Sequence, residues 1–351
     1  PGERIVIKPN LLAPEPAERN VAPHPAIFAA LGKLLLETGA TIEYGDSPPL
    51  GRPLAVASRA GLAAVADRLG IALADFEHGQ QVSFPAGRLA KQLNLARGAL
   101  AADGIVNLAK FKTHGFTRYT GAVKNMFGCV VGLRKPEYHV KMPDIHQFCQ
   151  VLVDIQLCLK PRLHILDGVV AMEGNGPRSG DPRRLEVLLA STDPVALDAV
   201  ACRLIDLDPR FVPTTLAGAE GGLGRWQPEE IELVGDDLSS LVCRDFAVRR
   251  QPAVRLPSSR SFPPFLKRWV SPRPRIEPGQ CTGCATCVEV CPTTPKSLRR
   301  RQEQRMPRYH SAPCIRCYCC QEACPARAIS VKVPLLGRVL PRVAAAIDRF
   351  Y

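Results

Sequence analysis

Short apolar runs alternate with helically periodic segments along the first 248 residues. The apolar runs predict strands over residues 4–8, 41–45, 104–108, 163–166, 185–190 and 231–234. The periodic segments predict helices over residues 25–38, 53–60, 61–69, 143–159 and 194–205. This alternation is typical of an α/β domain with a mainly parallel sheet and flanking helices.

The composition changes after residue 248. Residues 249–275 are rich in Pro and Arg and predict a linker, and residues 276–332 contain closely spaced cysteines. We therefore expect an α/β domain over 1–248, a linker over 249–275, a small α+β domain over 276–332 and an amphipathic tail over 333–351. The apolar stripe of the tail favours packing on the protein's own surface or on a second subunit in a homodimer. The alternative is a segment lying on an anionic membrane surface.

The net charge of +13 comes from the C-terminal third of the chain. Residues 249–351 contain 20 Lys and Arg but 5 Asp and Glu, a net charge of +15, whereas residues 1–248 carry −2. This asymmetry indicates an anionic partner, which is nucleic acid, a membrane surface or an acidic protein. Nucleic acid is the least favoured, because the basic region has few aromatic side chains for base stacking.

The apolar runs are all shorter than the ~18–20 residues that a membrane-spanning helix needs, so we expect no transmembrane segment and a cytoplasmic protein. The chain begins at Pro1 without Met, and a strand is predicted almost at once. We therefore expect the natural protein to begin before Pro1.

Nine of the 14 cysteines fall between Cys281 and Cys324, and eight of them form two matching strings. Each string has the form C-x2-C-x2-C-x3-C-P. The strings comprise Cys281, Cys284, Cys287 and Cys291, and Cys314, Cys317, Cys320 and Cys324. Three thiolates spaced in this way wrap one face of a [4Fe–4S] cubane, and the fourth reaches the other cluster.

The spacing therefore predicts two [4Fe–4S] clusters whose strings exchange their fourth ligands. One is assigned to Cys281, Cys284, Cys287 and Cys324, and the other to Cys314, Cys317, Cys320 and Cys291. Cys319 is left over. A disulfide framework would not require this repeat, and zinc would be satisfied by paired C-x2-C motifs. The segment resembles two-cluster bacterial ferredoxins over about residues 275–332, although Thr293-Thr294-Pro295 departs from that family's pattern.

Polar residues gather where the predicted strands of the first domain end. Parallel strands place their carboxyl ends at one edge of the sheet, where ligands of α/β proteins bind. The candidate ligand-binding residues are Lys8, Asn10, Lys110, Lys112, His114, Lys124 and Asn125. Lysines and amides that converge in one cleft favour a carboxylate or phosphate ligand. The candidate catalytic residues are His114, Lys112 and Asp46.

Other polar residues of this domain have more ordinary explanations. Asp167 and Glu173 have the chemistry of acid–base groups or of ligands for a divalent metal. His139 and His146 are expected to have structural or surface roles. Asp193 precedes a Pro at the start of a predicted helix and is expected to be its N-cap.

Several strings resemble the domain-of-unknown-function 362 family over about residues 1–245. The resemblance rests on the motifs IKPNL at 7–11, GDS at 45–47, K-x-K-T-H at 110–114, G-x2-K-N-x2-G at 121–128, DG at 167–168, GNGP at 174–177 and D-x4-D at 193–198. Members often carry a ferredoxin-type dicluster module. The resemblance implies the fold and this architecture, and it implies no particular reaction.

These features favour an iron–sulfur oxidoreductase. Two clusters would relay single electrons to or from an anionic small molecule bound in the α/β domain. No flavin, haem or nickel motif is visible in the sequence, so the acceptor is the substrate itself, an unseen cofactor or a partner protein. The alternative is a non-catalytic electron carrier whose α/β domain docks a redox partner.

Overall fold

The computed structural model describes residues 1–132, 135–251, 271–300 and 304–334. Its strands are β1 (Arg4–Pro9), β2 (Thr41–Tyr44), β3 (Ala72–Leu73), β4 (Gly79–Ser83), β5 (Gln92–Ala96), β6 (Gly104–His114), β7 (Arg118–Thr120), β8 (Leu163–Glu173), β9 (Asp181–Ser191), β10 (Arg273–Ile276), β11 (Leu298–Arg299), β12 (Arg308–Tyr309) and β13 (Ile329–Lys332). Its α-helices are α1 (Pro25–Leu36), α2 (Pro53–Arg59), α3 (Leu62–Leu69), α4 (Arg97–Leu100), α5 (Ala122–Asn125), α6 (Lys135–Lys141), α7 (Ile145–Leu159), α8 (Pro194–Leu204), α9 (Pro213–Glu220), α10 (Thr286–Glu289) and α11 (Cys319–Ala323).

The central sheet has the strand order β3-β2-β1-β6-β8-β9, with β7 paired to β6. The pairs β2–β3, β1–β2, β1–β6 and β6–β8 are parallel, whereas β9 and β7 run antiparallel to their neighbours. This arrangement confirms the predicted α/β class with a mainly parallel sheet.

Both faces of the sheet are covered by helices. Successive side chains of a strand point to opposite faces, so neighbouring residues of β1 join different cores. Ile5 and Ile7 join a core with α1, α2 and α3. Val6, between them, packs on the opposite face with residues of α7 such as Phe148 and Val151. A strand covered on both faces reads as a continuous apolar run, which is how β1 appears in the sequence.

Several predicted boundaries need correction. β6 continues to His114 and β8 to Glu173, well beyond the predicted ends at residues 108 and 166. Both extensions contain charged residues that read as loops in the sequence. The strand predicted over 231–234 is wrong: that segment has no regular structure, and Val234 is 92% exposed. The β4–β5 hairpin was not predicted.

The cysteine-rich domain consists of two small antiparallel sheets, β10–β13 and β11–β12, with the one-turn helices α10 and α11. This confirms a small C-terminal α+β domain. Most of the predicted linker and tail (252–270 and 335–351) lies outside the described residues. In the part of the chain that is described, no helix is long and apolar enough to cross a membrane.

Candidate functional site

The candidate site lies where the strand order reverses. From β1 the chain builds β2 and β3 on one side, and later β6 and β8 on the other. The crevice at such a reversal is the usual ligand position in an open α/β sheet. Lys8 lies near the end of β1. Lys110, Lys112 and His114 occur at every second position of β6 and therefore lie on one face of it.

Two of the candidate lysines are held in buried ion pairs. Lys8 Nζ lies 2.9 Å from Asp46 Oδ1, and Lys110 Nζ donates to Asp167 Oδ2 at 2.7 Å. All four side chains are almost fully buried. Each carboxylate also accepts a backbone N–H, from Leu11 for Asp46 and from His24 for Asp167. Each pair is nearly neutral, so the pairs shape the site rather than offer a free cation or a free base.

The last glycine of the G-x2-K-N-x2-G motif, Gly128, lies with its backbone directly against the Lys8–Asp46 ion pair. A Cβ atom on Gly128 would lie 1.8 Å from Asp46 Oδ1 and 2.6 Å from Lys8 Nζ. Only glycine therefore fits against this pair. Asn125, three residues earlier, accepts from Lys8 Nζ at 3.2 Å and donates to Asn107 Oδ1 at 2.7 Å.

Lys112 is buried without a carboxylate partner among the described residues. Its ammonium group donates to Asn10 Oδ1 and, at 2.7 Å, to the Val21 carbonyl oxygen. Burial, reinforced by the neighbouring Lys124 and Lys110 ammonium groups, lowers the pKa of Lys112 to about 7. Lys112 is thus a cation that an anionic ligand would stabilise.

Lys124 is the second uncompensated cation. In the described part of the chain, no side chain or carbonyl accepts a hydrogen bond from its ammonium group, which lies 5.9 Å from the centre of the Phe127 ring. Burial lowers the pKa of Lys124, and Glu322 opposes that shift. Lys112 and Lys124 therefore lie in one electrostatic cluster, and neither is neutralised by a direct ion pair.

Asp198, for which the sequence indicated no role, anchors the helix that carries Lys124. Its carboxylate accepts the N–H of Ala122 at 2.7 Å and that of Val123 at 3.0 Å, at the beginning of α5. It also accepts the hydroxyl of Tyr119 at 3.2 Å. The anchor fixes the position of Lys124 and Asn125 relative to the sheet. Asp193 is confirmed as the N-cap of α8, because its side chain accepts from Val195 and Ala196.

His114 connects the sheet to the cysteine-rich domain. Its Nε2 atom lies 3.0 Å from Oε1 of Glu322 on α11, and its Nδ1 atom accepts the N–H of Phe116 at 3.0 Å. Burial lowers the pKa of His114 to about 4, so the ring is neutral near pH 7. Because Nδ1 is an acceptor, the ring proton resides on Nε2, the atom that faces Glu322.

Further hydrogen bonds hold α11 against the α/β domain. Gln321 Nε2 donates to the carbonyls of Asn175 and Gly176, each at 2.9 Å. Arg178 donates to the Ala323 carbonyl at 2.9 Å and pairs with Glu15 at 2.7 Å. The GNGP loop, unexplained by any nucleotide motif in the sequence, is therefore part of a domain interface.

The eight string cysteines line two cavities in the arrangement predicted from their spacing. Cys281, Cys284, Cys287 and Cys324 line one cavity, with Ile276 and Ile329 among the other lining residues. Cys291, Cys314, Cys317 and Cys320 line the second. Each cavity combines three cysteines of one string with the last cysteine of the other. The cavities and their thiol donors fit two [4Fe–4S] clusters with exchanged fourth ligands.

The geometry is less suited to the alternative metal or to disulfides. None of the 14 cysteines forms a disulfide. No group of three or more His, Cys, Asp or Glu side chains within the described ranges is placed to hold a single metal ion. Thiolates around a four-iron cubane lie farther apart than those around one zinc ion. At Cys284, a hydrogen bond from the Thr286 hydroxyl lowers the pKa of the thiol and favours the thiolate, the ligand form.

Besides Asp198, sequence reasoning missed two charged residues of this site. Glu322 lies inside a cysteine string, and Lys135 lies far along the chain from the end of any predicted strand. Neither position therefore marks the residue as part of the site. Lys135 donates to the Ser47 carbonyl, and burial lowers its pKa to about 8. His139 was expected to have a structural or surface role, and the structure shows a structural one: its buried ring stacks on Phe148 with ring centres 4.4 Å apart. Its buried ring also interacts electrostatically with Glu322 and Lys124.

Comparison with known proteins identifies both parts of the chain. The family model for a domain of unknown function, DUF362, matches residues 5–203, and a 4Fe-4S dicluster domain matches residues 273–325. Thylakoid-associated protein sll1697 of Synechocystis sp. is 38% identical over 224 residues, which cover 64% of this chain and 69% of that protein.

A weaker likeness in fold is found with the lactate racemase apoprotein from Thermoanaerobacterium thermosaccharolyticum. The two share 13% identity with a TM-score of 0.39, over 57% of this chain and 48% of that one, so the match spans about half of the racemase chain. The family match is much stronger, since it covers more than half of the chain and agrees with the motifs around Lys8, Lys112 and Lys124. The chain therefore belongs to the domain-of-unknown-function 362 family, and it carries a 4Fe-4S dicluster domain after the family domain.

Proposed function

We propose that this protein is an iron–sulfur oxidoreductase whose dicluster domain exchanges single electrons with an anionic small molecule held near Lys112 and Lys124. The observation that carries the proposal is the position of Glu322. It lies 3.0 Å from His114 in the candidate site, and in sequence it stands between Cys320 and Cys324. Those two cysteines belong to the two different cavities, so one short helix joins both to the site.

Two [4Fe–4S] clusters would be held by the two sets of four cysteines that line the cavities. When bound, such clusters supply reversible one-electron transfer, with potentials set by charge, hydrogen bonds and exposure. The chain itself supplies the thiolates and the apolar walls. It also supplies the contact between α11 and β6 through which the clusters and the ligand site approach each other.

The residues of the site would bind and orient the ligand. With the Lys8 and Lys110 pairs neutralised, Lys112 and Lys124 remain against the carboxylate of Glu322 among the described residues. Lys135 is a third buried cation, and the carboxylate nearest to it in effect is Asp46, which already pairs with Lys8. Such a surplus of buried positive charge favours a carboxylate or phosphate. The neutral His114 holds a proton on Nε2, where it can donate to a ligand oxygen. The burial of these groups excludes water and strengthens each electrostatic contact.

Access to this site requires a displacement. Lys112 is 1% exposed and His114 5%, so in the described arrangement no ligand reaches them directly. Glu322 already places a carboxylate beside His114 and near Lys124. We infer that an incoming anion takes the place of that carboxylate, with α11 moving away from β6 as it binds.

Anion binding by the anaerobically reconstituted protein tests this proposal. Calorimetric titration with acetate and with inorganic phosphate should show binding that Lys112→Met and Lys124→Met weaken. Lys33→Met on the exposed surface of α1 is the matched control and should bind like the wild type. If all three variants bind these anions as the wild type does, the ligand site lies elsewhere.

A further inference from the structure

The dicluster domain carries three exposed arginines on one small surface, which we call the arginine rim: Arg299, Arg305 and Arg308. Arg299 and Arg308 are direct cross-strand neighbours in the β11–β12 pair. Like charges in that position destabilise a two-stranded sheet. A local arrangement that costs stability points to a role outside the fold itself.

The charge of the rim has no compensating carboxylate in the part of the chain that the structure describes. Among the described residues, no carboxylate forms an ion pair with any of the three arginines, and Arg299 Nε donates only to the Lys296 carbonyl. Neighbouring cations differ in this respect. Arg275 pairs with Glu277 at 3.0 Å, and Lys296 donates to the carbonyls of Val288 and Glu289.

The rim borders the cavity lined by Cys281, Cys284, Cys287 and Cys324. The side chain of Arg305 packs over the backbone between two of these cysteines, with its Cγ 2.8 Å from where a Cβ on Gly283 would lie. Pro307, next to Arg308, lines the same cavity. Of the eight string cysteines, Cys284 is exposed, three are buried and four are partly buried. The rim therefore lies where electrons can reach the domain from outside.

We propose that the arginine rim is the docking surface for an acidic electron-transfer protein. In each encounter the partner is oxidised by one electron and this chain is reduced by one electron at the cluster site beside the rim. The inference rests on the cluster assignment of the proposed function, but not on the anion site at Lys112 and Lys124. Complementary charge would steer the partner and orient its redox group toward Cys284.

An acidic protein is favoured over a lipid surface or a nucleic acid by the position of the charge. The three cations flank an exposed cluster ligand, where a partner without a redox centre has no function to perform. The rim as defined consists of three arginines, whereas a surface for lipid or nucleic acid needs a broader basic area to collect many phosphates.

The test is the rate at which a reduced acidic carrier reduces the oxidised, reconstituted protein. Stopped-flow mixing with reduced flavodoxin, an acidic flavoprotein, follows cluster absorbance at several ionic strengths. The variant Arg299→Gln/Arg305→Gln/Arg308→Gln removes the rim, and Lys33→Gln/Arg59→Gln/Arg68→Gln removes the same charge from the α/β domain. Photoreduced deazariboflavin, a small reductant, reports whether the clusters are intact.

We expect the rim variant to be reduced by flavodoxin ~10-fold or more slowly than the wild type at low salt, and to lose most of the salt dependence. Its reduction by deazariboflavin, its iron content and the behaviour of the control variant should be unchanged. If the triple variant loses iron, the single variants Arg305→Gln and Arg308→Gln carry the same comparison.

Equal flavodoxin rates and salt slopes in wild type and rim variant would overturn the proposal. It would also be overturned if the rim substitutions lowered co-sedimentation with phosphatidylglycerol vesicles, or binding of a mixed oligonucleotide, while flavodoxin rates stayed unchanged. Failure of anion binding at Lys112 and Lys124 would leave this result unaffected, so the two proposals fail separately.

Discussion

Nε2 of His114 and Oε1 of Glu322 lie 3.0 Å apart, and this contact joins the central sheet to the dicluster domain. Both side chains are largely buried, and the histidine is neutral because burial lowers its pKa to about 4. Glu322 therefore connects a polar site on β6 with a helix whose flanking cysteines line both cluster cavities. A ligand that displaces Glu322 from His114 would therefore also shift Cys320 and Cys324, one in each cavity.

The exchange of fourth ligands predicts unequal effects of single cysteine substitutions. The wild-type protein should contain about eight iron atoms and eight sulfides per chain after anaerobic reconstitution. Cys291→Ser should damage the cluster held by Cys314, Cys317 and Cys320, although Cys291 belongs to the first string. Cys319→Ser should leave both clusters intact. Iron analysis with EPR of the reduced protein checks these outcomes, and loss of the first-string cluster in Cys291→Ser would contradict the exchange.

Removing either uncompensated lysine should weaken anion binding. Lys112→Met and Lys124→Met each delete a charge-assisted hydrogen bond of about 1.5–3 kcal/mol, so the dissociation constant for inorganic phosphate should rise ~10–100-fold. Iron content should stay at the wild-type level. Unchanged phosphate affinity in both variants, with intact clusters, would exclude these lysines from the site.

The lowered pKa of Lys112 predicts how anion affinity depends on pH. Burial lowers that pKa to about 7, so the free site holds a charged Lys112 below pH 7 and a neutral one above it. Acetate, whose own charge is constant from pH 6 to 9, should therefore bind more weakly as the pH rises through 7. The same titration on Lys112→Met should lose this step, and an identical pH profile in wild type and variant would assign the effect to another group.

Glu322→Gln should strengthen anion binding. The substitution keeps the shape of the side chain and removes the carboxylate that competes with the ligand for His114 and Lys124. We expect acetate affinity to rise several-fold, with iron content unchanged. Glu289→Gln, an exposed acid of the same domain, is the matched control. A fall in affinity in Glu322→Gln would show that Glu322 helps to bind the ligand.

Asp198→Ala should affect both stability and binding. It leaves the buried N–H groups of Ala122 and Val123 without an acceptor, which costs roughly 2–4 kcal/mol of unfolding free energy. The loosened α5 should also weaken phosphate binding through Lys124. Asp193→Ala, at the cap of α8, serves as the comparison: it should lower the melting temperature without a similar loss of phosphate affinity.

The sequence predicts the type of most elements in the first domain, because strands such as β1 are continuous apolar runs between helical segments. It fails where charge is buried. β6 was predicted to stop at residue 108, since the charged Lys110, Lys112 and His114 were placed in a ligand cleft after the end of the strand. In the structure these three side chains are hydrogen-bonded inside the protein: Lys110 to Asp167, Lys112 to Asn10 and His114 to the N–H of Phe116. A strand was wrongly predicted at 231–234 because its apolar side chains do not reveal that no neighbouring strand pairs with them.

The site shows the same division. The grouping of lysines at strand ends and the cysteine spacing are visible in one sequence, since each depends on local order. The pairing of Lys8 with Asp46 and the contact of His114 with Glu322 join residues far apart in the chain. Such pairs require the folded arrangement of β1, β6 and α11. These pairs determine which lysines keep an uncompensated charge, and this cannot be predicted from a single sequence.

The oxidation of the reduced clusters by small anions tests the central claim most directly. Dithionite-reduced, desalted protein is mixed anaerobically with a panel of oxidising carboxylates and phosphate esters, and cluster absorbance is followed in a single turnover. We predict that at least one compound oxidises the wild type and that Lys112→Met and Lys124→Met slow this oxidation ~10–100-fold with unchanged iron content. If the whole panel leaves the wild type reduced while an oxidised carrier protein takes its electrons, the protein is a plain electron carrier and the account is wrong. If the variants react at the wild-type rate, the small molecule does not bind at Lys112 and Lys124, which equally contradicts the account.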